Sequence, residues 1–155
     1  MRLTRQTNYA IRTLVYCAAN APELSRIADI ARAHSISELF LFKLIKPLVE
    51  NGLIETVRGR KGGIRLGRPA SEITLLDTIK LTEENFAMAE CFEGGSDVAC
   101  PLADSCDLNS ALREALGAFF EVLDSYTIAD LASKRKHLRD RLGLKLEELT
   151  DFTQH

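Results

Sequence analysis

Residues 35–66, SISELFLFKLIKPLVENGLIETVRGRKGGIRL, decide the fold. Ser37 is placed to cap a helix that runs to about Asn51, and Gly52 follows as its terminating glycine. At about 100° per residue, Leu41, Leu44, Ile45 and Leu48 share one face, which reads as core. Leu39, Phe42, Lys43, Lys46 and Glu50 lie on the opposite face. The two lysines suit phosphates or guanine, and Ser37 suits a backbone or base-edge contact. Leu39 and Phe42 have two readings: contact with thymine methyls or sugars, or packing on a neighbouring element. Pro47 removes the hydrogen bond to the Lys43 carbonyl, so a bend is expected there.

Beyond Gly52, residues 53–57 alternate as a strand, residues 58–63 form a glycine-rich turn, and residues 64–66 return. This is a β-hairpin with a basic tip. Its glycines permit close approach to a phosphate or a minor groove, and Arg58, Arg60, Lys61 and Arg65 supply charge. On the other side, residues 7–20 place Tyr9, Ala10, Leu14, Cys17 and Ala18 at helical spacing, ended by Pro22. Residues 25–33 form a short helix with Ser25 as its N-cap and Ile27, Ile30 and Ala31 on one face. Two helices, a tight turn, a longer helix and a hairpin make a winged helix-turn-helix.

The charge distribution agrees. The 155-residue chain has a net charge of −2, yet residues 1–68 hold 12 Lys+Arg against 5 Asp+Glu, and residues 69–155 hold 8 against 17. A basic half of +7 beside an acidic half of −9 calls for an anionic partner, nucleic acid first. Solvated charge without a partner is the blander reading.

A fourth helix is expected over 71–81, starting near Thr74. Residues 108–126 form a long amphipathic helix with Leu108, Ala111, Leu112, Ala115, Phe119, Val122, Leu123 and Tyr126 at three- and four-residue spacing. The expected fold class is mainly α with a small β-hairpin wing (α+β). The expected parts are a winged helix-turn-helix domain (1–82), a cysteine-containing loop (83–107), a dimerisation helix (108–133) and a C-terminal tail (134–155), read as a marginal helix or an unstructured tail without assigned chemistry. The three histidines, His34, His137 and His155, are expected in solvent. No apolar stretch reaches the length of a membrane span, and the polar start lacks a signal-peptide layout, so a cytoplasmic protein is expected.

Cys91, Cys100 and Cys106 stand as C-x8-C-x5-C, whereas Cys17 sits on an apolar helix face as core filler. Three thiolates in one loop can meet at one metal centre. An iron–sulfur cluster tolerates three cysteines plus a different fourth ligand; zinc prefers paired C-x2-C knuckles, which are missing, and redox thiols remain open. No paired carboxylates, Ser/His/Asp set, P-loop or dinucleotide fingerprint is present, so neither an enzyme nor a small-molecule substrate is expected.

With these features in this order, the chain resembles the Rrf-type family of bacterial iron–sulfur transcription regulators over essentially its full length. MRLTRQTNYAIRTL (1–14), VRGRKGGIRLGRPASEITLLDTI (57–79) and the triple cysteine carry the resemblance. ISELFLFKLIKPL (36–48) and FAMAECFE (86–93) are similar to its rhizobial iron-regulator branch. The resemblance implies a homodimer on a palindromic double-stranded DNA operator. It also implies a labile cluster held by Cys91, Cys100 and Cys106, of [4Fe-4S] type with [2Fe-2S] on degradation, and repression of iron-uptake genes when iron is plentiful. The nitric-oxide-sensing branch takes a fourth ligand where this chain has Asn8, and the cluster-assembly branch where it has Asn109. Neither carries over; water, a small thiol, Asp104 or Asp107 stay open. The alternatives are a relative sensing nitric oxide, redox or cluster-assembly status, a zinc-bound or metal-free winged-helix regulator, and a protein-interaction module.

Overall fold

A computed structural model describes residues 2–89 and 106–144. Helix α1 (Arg5–Asn20) runs through the centre, and α2 (Ile27–His34) and α3 (Glu38–Glu50) form the helix-turn-helix. Strands β1 (Ile54–Val57) and β2 (Gly63–Leu66) make the wing. A 3-10 turn (Ala70–Glu72) precedes α4 (Leu75–Thr82); α5 (Asp107–Ser125), α6 (Ile128–Leu131) and α7 (Arg135–Leu142) follow. The expected winged helix with a long additional helix is the architecture found.

Local chemistry sets the element ends. Thr4 caps α1, its hydroxyl accepting the Thr7 N–H at 3.2 Å. Ser37 caps α3 by accepting the Phe40 N–H at 3.2 Å. Helix α3 continues past Pro47 to Glu50, and Asn51 donates its backbone and side-chain N–H groups to the Pro47 carbonyl. Gly52 then takes φ +72°, a left-handed turn that favours glycine. Thr74 and Asp77 close a capping box on α4.

Ser25 differs from expectation. Arg26 occupies the N-cap position of α2 and supplies no side-chain cap. Ser25 is spent one residue earlier: its N–H donates to the Ile64 carbonyl at 2.9 Å, and its carbonyl accepts the Ile64 N–H at 2.8 Å. A two-residue β-bridge outcompetes a cap here because it fastens the wing to the entrance of α2.

One core joins these parts. Ala10, Leu14 and Cys17 meet Ile30, Leu41, Leu44 and Leu48, with Leu53, Ile54 and Ile64 arriving from the wing and Ile128 from beyond α5. Burying each large aliphatic group contributes about 1.5–3 kcal/mol. The wing is paired Ile54↔Leu66, Glu55↔Arg65, Thr56↔Ile64 and Val57↔Gly63. Alternation puts Ile54 and Ile64 inward and Glu55 and Arg65 outward.

Helix α5 leaves this body and returns to it. At 19 residues it is about 28 Å long, against about 12 Å for the eight residues of α4 beneath it. Its apolar residues differ in burial. Leu112, Leu116, Phe119, Phe120 and Leu123 are half-buried; Phe120 meets Phe86 edge-on at 5.0 Å. Leu108, Val122 and Tyr126 remain 65%, 57% and 52% exposed. After α5, the Leu75 N–H donates to the Tyr126 carbonyl and the Ile128 N–H to the Ile73 carbonyl, both at 2.8 Å.

Residues 134–144 form α7 and its left-handed Gly143 end. Arg135 and Arg139 both donate to the Ala19 carbonyl, at 3.0 and 3.1 Å, at the negative end of α1. Residues 145–155, including His155, lie outside the described residues. His137 is exposed as expected, but His34 is not in solvent. Its ring is half-buried, edge-on to Tyr9 and Tyr16, with a fully shielded Nε2.

Candidate nucleic-acid interface and thiolate segment

Helix α3 turns its apolar face inward, which leaves the opposite face to solvent. Leu39 and Phe42 are 68% and 56% exposed, and Ser37, Lys43 and Lys46 are exposed beside them. Lys46 lies 3.9 Å from Glu50 one turn on, a contact that leaves the ammonium accessible. Of the two readings of Leu39 and Phe42, packing on a neighbouring element of this chain leaves them largely uncovered.

The wing tip completes the surface. Arg58, Arg60 and Lys61 are exposed, and no ion pair engages them among the described residues. The Gly62 N–H donates to the Gly59 carbonyl at 2.9 Å, and a Cβ on Gly62 would come within 2.3 Å of the Val57 carbonyl oxygen. The turn is therefore closed to any larger residue at position 62. Arg65, predicted with the tip residues, lies back on the strand and makes a bidentate pair with Glu55 at 3.0 and 3.2 Å. That bond holds the Glu55 carboxyl below its ordinary range. Arg65 is thus engaged across the hairpin, whereas Arg58, Arg60 and Lys61 stay available.

Two supports escaped the sequence reading. Tyr9 lies between the guanidinium groups of Arg5 and Arg12, 5.5 and 5.3 Å from its ring centre. Arg5 is also 5.5 Å from the Phe40 ring in the first turn of α3. This cation–π stack joins the start of α1 to the solvent-facing helix. Arg68 donates to Asp77 at 2.9 Å, tying the base of the wing to α4. Arginines within a few residues of an aromatic or an acid are too common in a sequence for either link to be recognised beforehand.

The structure shows Cys106 of the three predicted cysteines; Cys91 and Cys100 lie outside the described residues. Cys106 is half-buried at the N-cap of α5, and its Sγ accepts the Asn109 N–H at 3.4 Å. The positive end of the helix dipole faces that sulfur, and backbone N–H bonds to cysteine sulfur are one of the protein's means of tuning an iron–sulfur centre. This donor fits such a group. Asn109 engages its side-chain oxygen with Arg113 at 2.6 Å, Asn8 and Asp107 are exposed, and Asp104 lies outside the described residues. Cys17 is buried in the core, its thiol pushed up to about 12 by burial, which suits an inert filler. Among the described residues, no three His, Cys, Asp or Glu side chains converge as a metal site.

Where the described chain meets the cysteine segment, Glu83 is tethered. Its carboxylate accepts the Thr4 N–H at 2.6 Å and the Thr7 hydroxyl, beside Thr82. Burial raises the Glu83 pKa, but the bonds from Thr7 and Thr4 together outweigh it and leave it lowered.

Comparison with known proteins places these features. Residues 3–134 match the family model described as Rrf2, iron-dependent transcriptional regulator. The chain is 65% identical over 145 residues to "Protein aau3" of Rhizobium meliloti (strain 1021), covering 94% of each. It is 46% identical over 143 residues to the HTH-type transcriptional regulator NsrR of Geobacillus kaustophilus (strain HTA426), covering 92% of this chain and 97% of that one. Its structure is similar to that of CymR, the global cysteine regulator of B. subtilis, with a TM-score of 0.67 and 29% identity over 86% of this chain and 98% of that one.

Proposed function

We propose, from the premise that this chain belongs to the Rrf2 family of transcriptional regulators, that it is an iron-responsive repressor of iron-uptake genes of the RirA type. The observation that carries the DNA-binding half of this reading is the juxtaposition of α3 with the wing. Ser37, Leu39, Phe42, Lys43 and Lys46 face solvent beside Arg58, Arg60 and Lys61, within a half that carries +7. Lysines and arginines neutralise phosphates, and the α3 side chains read base edges in the major groove. Arg65 contributes by holding the hairpin in register through Glu55.

A homodimer formed along the exposed face of α5 presents two such surfaces. Half-sites on one face of DNA lie about 34 Å apart, so the angle between protomers sets the affinity. Cys91, Cys100 and Cys106 are the residues that would hold an iron–sulfur cluster. When bound, such a group supplies iron–thiolate bonds that are made or lost with iron supply and oxidation. The chain's own part is to anchor the cysteine segment at both ends: at Cys106 on the first turn of α5, and at Glu83 on Thr4 and Thr7 of α1.

The experiment is anaerobic purification of wild type and Cys100→Ala, with visible spectra, iron and sulfide counts, and titration with promoter fragments of iron-uptake genes. Cys100→Ala is expected to be a folded, colourless dimer with weak promoter affinity. A full cluster in this variant, or wild-type affinity, contradicts the reading.

A further inference from the structure

A cleft lies between α1, α6 and α7 and shares no lining residue with α3 or the wing. Its volume is about 330 Å³, within the range of small-molecule sites. Ile11 and Val15 of α1, Leu131 of α6 and Leu138 and Leu142 of α7 line it, each half-buried. Two polar groups, Arg12 and His34, complete the lining, and no acidic side chain joins them. These two stand close together: burial first and the Arg12 guanidinium second hold the His34 imidazole below its ordinary range. No ion pair engages Arg12 among the described residues. The His34 Nε2 is shielded from water and has no hydrogen-bond partner.

We infer that this cleft binds a small amphipathic carboxylate, its hydrocarbon tail along the five aliphatic side chains and its carboxylate on the Arg12 guanidinium. The site uses neither the cysteine segment nor the α3–wing surface, so it stands apart from the iron-responsive reading. Charge complementarity selects the headgroup. A guanidinium without a carboxylate partner, in a lining without acids, favours an anion, and its planar fork of donors fits a carboxylate. Tyr9 holds that guanidinium 5.3 Å from its ring centre, so the fork is in place before a ligand arrives. A headgroup there also offers the unpaired His34 Nε2 a partner. The tail follows from the remaining lining. The chain itself covers the five aliphatic groups only in part, and each methylene moved from water onto them is worth about fourfold in affinity. The walls are fixed as well. Arg135 and Arg139 fasten α7 to the Ala19 carbonyl at 3.0 and 3.1 Å, and the Ile128 N–H ties the start of α6 to the Ile73 carbonyl at 2.8 Å.

The test is isothermal titration calorimetry of the 155-residue chain with octanoate, set against hexanoate and the neutral 1-octanol. Octanoate is expected to occupy one site per chain, about tenfold more tightly than hexanoate, which lacks two methylenes. It should also bind at least about tenfold more tightly than 1-octanol, which has the tail without the charge. Arg12→Gln should weaken octanoate by at least about tenfold and leave 1-octanol unchanged, and Arg12→Lys should restore most of the octanoate affinity. Leu138→Glu, which puts a carboxylate of its own into the cleft, should abolish octanoate binding. Thermal melting establishes folding; Arg12 is exposed, so its variants should melt with wild type and decide the question even if Leu138→Glu does not fold. Octanoate and 1-octanol binding equally well, wild-type octanoate affinity in Arg12→Gln, or no octanoate binding by wild type at millimolar concentration overturns the assignment. Sedimentation with and without octanoate should show one oligomeric state. A shift to a smaller species means that a second copy of the chain covers the cleft, and overturns it too.

Discussion

His34 shows what a single residue does at a crowded junction. Burial first, and then the Arg12 guanidinium, hold its imidazole below its ordinary range. In the unfolded chain the same group takes up a proton at about pH 6.5. The folded state resists that proton, so His34 makes the protein lose stability as pH falls through about 6.5 toward the lower folded value. In His34→Gln, the drop in urea midpoint between about pH 8 and about pH 5.5 should be smaller than in wild type. An identical drop contradicts this role. The sequence shows a lone histidine near a helix end, which reads as solvent-exposed. Only the fold brings Tyr9 and Tyr16 from another helix against its ring. Cys17 was legible, because its helical spacing alone puts it among Ala10 and Leu14.

At the scale of elements, α3 depends on its first turn. Ser37→Ala removes the acceptor for the Phe40 N–H and should cost about 1 kcal/mol, or about 2–4 °C in Tm. Ser37→Asp should restore the melting temperature, since aspartate caps equally well, yet weaken DNA binding by placing a negative charge against phosphates. Thermal melting and DNA titration of both variants check this; an unchanged Tm in Ser37→Ala contradicts the cap, and full DNA affinity in Ser37→Asp contradicts the location. Helices α1, α3 and α4 and the hairpin were readable because caps, apolar spacing and glycines are local signals. The Ser25–Ile64 bridge was not, since it joins residues 39 apart in a chain where Ser before an apolar run ordinarily means a cap. Helix α7 was legible only as one of two readings, a marginal helix or a tail; its attachment by two arginines to the Ala19 carbonyl is not visible in so charged a run.

Across the whole molecule, the basic half carries α3 and the wing while the acidic half carries α5. The apolar spacing over 108–126 announced a long amphipathic helix, but not that its stripe would divide between α4 and solvent. The division depends on where α4 ends and on Phe120 meeting Phe86. Leu108, Val122 and Tyr126 remain largely exposed, beyond what α4 covers. Glu83 links the start of the cysteine segment to α1 and Cys106 links its end to α5, so under the proposed function a change in that segment would reach both helices.

The central claim is that a metal centre on Cys91, Cys100 and Cys106 decides whether two such surfaces can hold one operator. The most direct measurement is a promoter titration of one anaerobic preparation before and after gentle chelation, at a single salt concentration, with iron counted in each sample. The account predicts tight binding by the iron-loaded protein and at least a tenfold weaker affinity, about 1.4 kcal/mol, once iron is removed. Equal affinity in the two samples would contradict it.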